Sequence, residues 1–332
     1  MRVKWSQASR RCVLVGAALA AAALVASCGG SSGPHTKFVA SRVIAFGDES
    51  SVIVDSDRNG NGHKYSVNAT VAAGDPTVVC LNNPIWVQAV AGLYGLVFPE
   101  CNTANPPVSS PTSRIRAAFG AGASDLGAQV DAQIAESGLG PGDMATVLVG
   151  QNDVINQYLQ YPAQSEIQIT ANLEAAGAEV GRQVNRIAAT GAKVLIATIV
   201  DTSRSPFGMA ERASHADTDR AALLSRLTVR YNASLRATMT NDGRIIGLVL
   251  LDELVGSLVR FPGLDNFSNY TDPVCDLTKS QLLPPSILDC TQDTFIPGGS
   301  AAYLWADDRH ISASAQNVLG GLATARAQNN PF

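Results

Sequence analysis

The sequence predicts an α/β protein, a three-layer α/β/α sandwich built on a mainly parallel sheet. Three observations carry this. Short apolar runs recur at residues 43–46, 144–149, 193–199 and 244–251, each the length of a buried strand. Segments with helical spacing separate them, as in a parallel sheet covered on both faces. The first two runs also stop abruptly in glycine and polar residues, Gly47-Asp48 and Gly150-Gln151-Asn152-Asp153. Open α/β sheets bind ligands at that carboxyl edge.

Taken in order, Val43 to Phe46 is the first strand, and Glu49, Ser50 and Ser51 fill the turn after it. Residues 51–75 are polar and turn-rich. Asp55-Ser56-Asp57-Arg58-Asn59-Gly60 matches the first half of a calcium loop, but Ser66 stands at the twelfth position, where a bidentate Glu is needed. A turn between two short extended segments is expected there. Asn82-Asn83-Pro84 supplies a cap and a first-turn proline. Ile85, Trp86, Ala89, Val90 and Leu93 then follow at helical spacing, and Gly95 marks the end. A Pro/Ser/Thr-rich surface loop covers about 102–113, and a glycine-rich turn, Phe119 to Ser124, precedes a helix through Leu126, Val130 and Ile134. Beyond the strand at 144–149, helices are expected over about 166–190, 217–240, 252–260 and 312–327, with a cysteine-bracketed loop at 263–300.

Residues 1–28 stand apart from the fold. Arg2, Lys4, Arg10 and Arg11 form a basic start before the apolar run Cys12 to Val25, the layout of a secretory signal too short for a comfortable membrane span. Val25-Ala26-Ser27-Cys28 resembles a bacterial lipobox, in which Cys28 becomes lipidated and N-terminal. Residues 29–41 are the tether and 42–328 the folded domain; an outer-membrane lipoprotein of the bacterial cell envelope is expected.

Cleavage removes four basic residues and takes the formal net charge from −4 to −8. An acidic chain without a Lys/Arg cluster is a poor nucleic-acid binder, and the lipid rather than electrostatics must hold it to a membrane. Apolar content of 46% and charged content of 16% describe a globular chain, and its many Ala and Gly residues predict close helix packing. Export makes disulfides expected among Cys80, Cys101, Cys275 and Cys290. The local pairing, Cys80–Cys101 with Cys275–Cys290, closes two short loops. No Cys/His spacing suggests a zinc site.

The chemistry converges on one sheet edge. Asp307 and His310, three residues apart before the last helix, suit a base oriented by a carboxylate. The Asn152 amide and a backbone N–H at Gly122 suit oxyanion donors. At this point the chain resembles the SGNH/GDSL hydrolases. Phe46-Gly47-Asp48 looks like their first block, Phe119 to Ser124 like their glycine block, Gly150-Gln151-Asn152-Asp153 like their Gly-x-Asn-Asp block, and Asp307-Asp308-Arg309-His310 like their Asp-x-x-His block. The match is similar to autotransporter esterase passenger domains and covers most of 42–327. The chain ends soon after its last block, so no membrane β-barrel is expected to follow. No Gly-x-Ser-x-Gly elbow is present.

The resemblance implies a flavodoxin-like sheet and cofactor-free hydrolysis of carboxylic esters by a monomer acting on a small ester, lipid or acylated-glycan substrate. It also implies roles for Asp307 as orienter, His310 as base, and Gly122 and Asn152 in the oxyanion hole. The departure is the nucleophile. The family has Ser directly after Gly-Asp, where this chain has Glu49, with Ser50 one residue later. One residue turns a helical side chain by about 100°. Three outcomes stay open: Ser50 reaches His310 and is the nucleophile; Glu49 acts as a base for water; or Glu49 pairs with His310 in an inactive protein that binds an acyl or glycan ligand.

Overall fold

In chain order the elements are β1 (Arg42–Gly47), β2 (Ile53–Val54), β3 (His63–Lys64), α1 (Trp86–Leu93), β4 (Arg114–Ile115), α2 (Leu126–Ser137), β5 (Asp143–Leu148), α3 (Gln151–Tyr158), α4 (Glu166–Ala189), β6 (Lys193–Ala197), α5 (Pro206–Ser214), α6 (Arg220–Thr238), β7 (Ile246–Val249), α7 (Leu251–Arg260), β8 (Asn269–Pro273), β9 (Tyr303–Trp305) and α8 (Ala313–Asn329). They come from a computed structural model that describes residues 37–261, 263 and 265–329. The signal segment with Cys28, and the tether as far as residue 36, lie outside the described residues.

Five strands form one parallel sheet in the order β4-β1-β5-β6-β7. Counted along the chain this is 2-1-3-4-5, the flavodoxin-like order. Val43 to Phe46 and Val194 to Ala197 are fully buried, which explains their continuous rather than alternating apolar runs. Helices flank the sheet: α1 packs on α8, and α4 packs on α6. Gly177 of α4 lies so close to α6 that a Cβ there would meet the Tyr231 carbonyl at 2.4 Å, the close packing that the small-residue content predicts. Ser165 and Asp219 cap α4 and α6 by accepting from the Gln168 and Ala222 amides.

Several elements differ from expectation. The edge strand β4, two residues long, and the helices α3 and α5, of eight and nine residues, were not expected from the sequence. Strands β6 and β7 are shorter than their apolar runs, and β5 starts and ends one residue earlier than its run. The Asn82-Asn83-Pro84 cap is replaced: α1 begins at Trp86, and the Gln88 side chain accepts the Ile85 amide at 2.9 Å. The Asp55–Gly60 segment is the turn of the β2–β3 hairpin, in which Asp55 accepts from the Asn59 and Gly60 amides. The cysteines pair as expected, Cys80 with Cys101 and Cys275 with Cys290.

What positions the site is the strand order. Between β1 and β5 the order reverses, because β1 leads to β4 on one side and the chain then returns to the other. At such a switch point the connections diverge and leave a crevice at the carboxyl ends of the two strands. Gly47-Asp48-Glu49 and Gly150-Gln151-Asn152 are the residues at those ends.

Candidate active site

The turn after β1 is held by backbone geometry before any charged group is considered. Gly47 adopts φ +120°, and a Cβ there would stand 1.9 Å from the Leu148 carbonyl oxygen, so only glycine lets β1 end this close to β5. The Gln129 side chain of α2 clasps the same residue, accepting from its N–H at 2.8 Å and donating to its carbonyl at 2.9 Å. Asp48 caps the single 3₁₀ turn Glu49–Ser51 by accepting the Ser50 amide at 3.0 Å. The Ser51 hydroxyl accepts from the Trp86 indole at 3.1 Å and ties the turn to α1.

This frame aims Glu49, not Ser50, at the crevice. Glu49 is 6% exposed and His310 8%. Glu49 Oε1 lies 3.4 Å from His310 Nε2, and Oε2 accepts from the Gly120 amide at 2.9 Å and from the Asn152 side-chain amide at 3.0 Å. On the far side of the imidazole, Nδ1 lies 2.7 Å from Asp307 Oδ2. Asp307 Oδ1 accepts the His310 and Arg309 backbone amides at 2.6 and 2.9 Å, so the Asp-x-x-His spacing folds into one tight loop. The Ser50 hydroxyl makes no hydrogen bond to His310; it lines, with Asp48, Gln151 and His310, a small pocket of about 20 Å³. That volume admits one water.

Asn152 is delivered by the turn after β5. Gly150 has φ +127°, and a Cβ there would be 2.2 Å from the Tyr231 ring, whose hydroxyl donates to the Val149 carbonyl at 2.8 Å. Gln151 then donates to the Arg309 carbonyl at 3.1 Å, linking the start of α3 to the histidine loop.

The structure therefore brings together Glu49, Asn152, Asp307 and His310 and leaves out two of the expected residues. Ser50 is displaced by the rotation of the 3₁₀ turn. The Gly122 amide donates to Asp125 at 2.8 Å, and the glycine-turn amide that faces the crevice is Gly120's. The signal was within the same turn, two residues away. Tyr65 was missed altogether: its ring lies 6.1 Å from that of His310 and stacks at 5.1 Å on Phe119, which is 68% exposed beside the Gly120 donor.

The electrostatics follow from this packing. With a carboxylate facing each ring nitrogen, His310 satisfies both only as the imidazolium, which has two N–H donors. Burial alone would lower its pKa, but the charges and hydrogen bonds of Asp307 and Glu49 outweigh burial and raise it to about 10. Burial would raise the Glu49 and Asp307 carboxyls, yet their contacts with His310 hold both below the usual range. Asp48 goes the other way. Burial and the adjacent Glu49 charge push it up to about 8, so it carries a proton at neutral pH. Among the described residues no group of three or more His, Cys, Asp or Glu side chains is placed to hold a metal ion.

No protein-family model and no curated protein matches the chain. It is similar in structure to a lipolytic protein of the G-D-S-L family from Veillonella parvula, with 11% identity, 86% of this chain and 96% of that one covered, and a TM-score of 0.41. It is also similar to Axe2, an acetylxylan esterase from Geobacillus stearothermophilus (13% identity, 88% and 96% covered, TM-score 0.42). A third likeness is to LAE5, an alpha/beta hydrolase from the metagenome of Lake Arreo (15% identity, 87% and 96% covered, TM-score 0.42).

Proposed function

We propose that this protein is a hydrolase of ester bonds whose reacting centre is Asp307, His310 and Glu49, with the Gly120 amide and the Asn152 side chain as oxyanion donors. The observation that carries this is the double use of the Glu49 carboxylate, one oxygen toward His310 Nε2 and the other on both donors. Four buried polar side chains, three of them joined in two ion pairs, converging at a switch-point crevice are costly to fold around and are characteristic of reacting sites. Asp307 holds the Nδ1–H tautomer and the ring orientation. His310 is a proton donor while Glu49 is charged, and it becomes a base when that charge is lost. Ser50 is out of line with the base and serves in this reading as a wall of the water-sized pocket, not as the nucleophile. Cys28 anchors the exported protein to the cell envelope.

A second reading is a protein without turnover that binds an acyl or glycan ligand in the same crevice. One observation favours it: Glu49 Oε2 already fills the donors that a substrate carbonyl would use.

Assay of the purified protein on phenyl acetate, with fluorophosphonate labelling alongside, separates these. Turnover that is lost in Glu49→Gln and His310→Gln, without labelling, supports the proposal. Labelling that disappears in Ser50→Ala but persists in Glu49→Ala returns the role to the serine. Absence of turnover on any ester, with a gain of activity in Glu49→Ser, supports the binding protein. For the anchor, Cys28→Ala is expected to release the protein from membranes; retention overturns the lipid attachment.

A further inference from the structure

Resting on that proposal, we infer that the ester this site hydrolyses is formed on Glu49 itself. Its carboxylate displaces a leaving group from the saturated carbon of an alkyl halide or alkyl sulfonate, and water then cleaves the glutamyl ester. Three features point the same way.

The first is where the donors aim. In acyl transfer by an oxygen nucleophile, oxyanion donors must reach the oxygen of the substrate's carbonyl. Here both reach Glu49 Oε2, at 2.9 and 3.0 Å. The carbonyl they are placed to polarise is the one Glu49 acquires when its other oxygen is esterified.

The second is leaving-group chemistry. A carboxylate that adds to a carboxylic ester forms an adduct whose best leaving group is the carboxylate itself, so the adduct reverts. At a saturated carbon bearing halide or sulfonate there is no such return, and the product is a stable ester.

The third is the state of His310. While Glu49 is an anion, Nε2 keeps its proton. Once Glu49 is esterified only Asp307 faces a ring nitrogen, at Nδ1; Nε2 then gives its proton to solvent and can accept one from water. Beside Gly120, the exposed Phe119 stacked on Tyr65 offers an apolar surface to an alkyl chain.

The steps balance. Glu49 Oε1 bonds to carbon, and the carbon–halogen or carbon–sulfonate bond breaks with its electron pair leaving on the anion. Water then attacks Cδ and passes one proton to His310 Nε2, while negative charge develops on Oε2 against Gly120 and Asn152. Collapse breaks the Cδ–Oε1 bond; Oε1 takes the proton back from His310 and leaves as the alcohol. The regenerated Glu49 carboxyl returns its remaining proton to His310 Nε2 and restores the ion pair, so the proton released overall is the one His310 gave to solvent. The net change is alkyl halide plus water to alcohol, halide and a proton. The first alcohol therefore carries an oxygen from Glu49, and Glu49 gains one from water.

The test uses the whole protein with 1-bromobutane and butyl methanesulfonate. In heavy-oxygen water, a single turnover is expected to give butanol with ordinary oxygen and a heavy oxygen in the Glu49 peptide. In His310→Gln, butanol release is expected to fall by about 10²–10⁴, while one butyl group accumulates on that peptide. Asn152→Ala is a second trap, slowing ester breakdown more than ester formation. Heavy oxygen in the first butanol with Glu49 unlabelled overturns the inference, as does the absence of both butanol and butyl adduct. Hydrolysis of phenyl acetate that needs His310 and Asn152, with neither butanol nor butyl adduct formed from the alkyl substrates, overturns it and leaves the ester-hydrolase proposal standing. Failure with every one of these substrates removes both.

Discussion

Two buried nitrogen bases, Lys64 and His310, meet opposite fates in this molecule. Lys64 is fully buried, and its Nζ donates to the carbonyls of Cys80, Asn82 and Asn83 at 2.9, 2.6 and 2.9 Å. These fill the three donors of an ammonium group. No carboxylate faces it in this cage, so burial pulls its pKa down to about 7. His310 is nearly as buried but sits between two carboxylates, and its pKa rises to about 10. Desolvation disfavours the charged form at both sites; the sign of the outcome is set by the partners. Carbonyl dipoles satisfy hydrogen bonds without offsetting the lost solvation, whereas two anions more than offset it. Burial of an ionisable group does not by itself mark a reacting site. Lys64 fastens the β3 strand to the loop that the Cys80–Cys101 bridge closes. His310 shares its crevice with convergent donors and a water-sized pocket.

His310→Gln is expected to lower kcat on whichever substrate is turned over by about 10²–10⁴, the usual contribution of a positioned acid–base group. Lys64→Met is expected to leave kcat within a few-fold, and the two variants assayed side by side decide whether the two buried bases differ in function. Asn152→Ala follows, with an expected loss of about 10²–10³ in kcat and little change in KM, because the donor acts on charge that develops in the transition state.

In stability the ranking inverts. Lys64→Met leaves three carbonyls without their donor, and urea unfolding is expected to show a loss of about 3 kcal/mol. Opening the Cys80–Cys101 bridge by double serine substitution is expected to cost about 3 kcal/mol for its 21-residue separation, again without a large effect on kcat.

The pH dependence of stability separates the two bases by sign. Lys64 has a folded-state pKa of about 7, below the ordinary value of 10.5, so between these the unfolded chain binds more protons and stability rises with pH. His310 is raised from 6.5 to about 10, so its contribution is fully present below pH 6.5 and is lost as pH rises through about 10. The two oppose each other over pH 7–10. Lys64→Met is therefore expected to expose a fall of stability with pH in that window, and His310→Gln a rise. Each change corresponds to at most about 1.4 kcal/mol per pH unit for one proton. Parallel curves for parent and variants would show that the two groups are not held as described.

Much of the architecture was legible along the chain because strands and helices are local patterns. The apolar runs at 43–46, 144–149 and 193–199 located three central strands, and the 166–190 periodicity located α4 almost to the residue. The Asp307–His310 pair was legible for the same reason, since three residues suffice to close that loop. Elements too short to repeat a period, such as β4 with two residues, were not. Lys64 gave no sign of its burial, because lysine in a hairpin is ordinarily a surface residue.

The α/β class, the order of the site-bearing turns and the identities of Asn152, Asp307 and His310 as polar residues at one sheet edge are set by the sequence, which left three cysteine pairings open. Only the tertiary structure decided which neighbour occupies the centre. Glu49 rather than Ser50 faces His310 across 261 residues of chain, and Gly120 rather than Gly122 supplies the amide. The physical reason is that residue type is fixed by composition, whereas the direction of a side chain in a tight turn is fixed by its backbone rotation. That rotation is set here by contacts from distant segments: the Gln129 clasp on Gly47, the Trp86 bond to Ser51, and the close approach of β1 to Leu148.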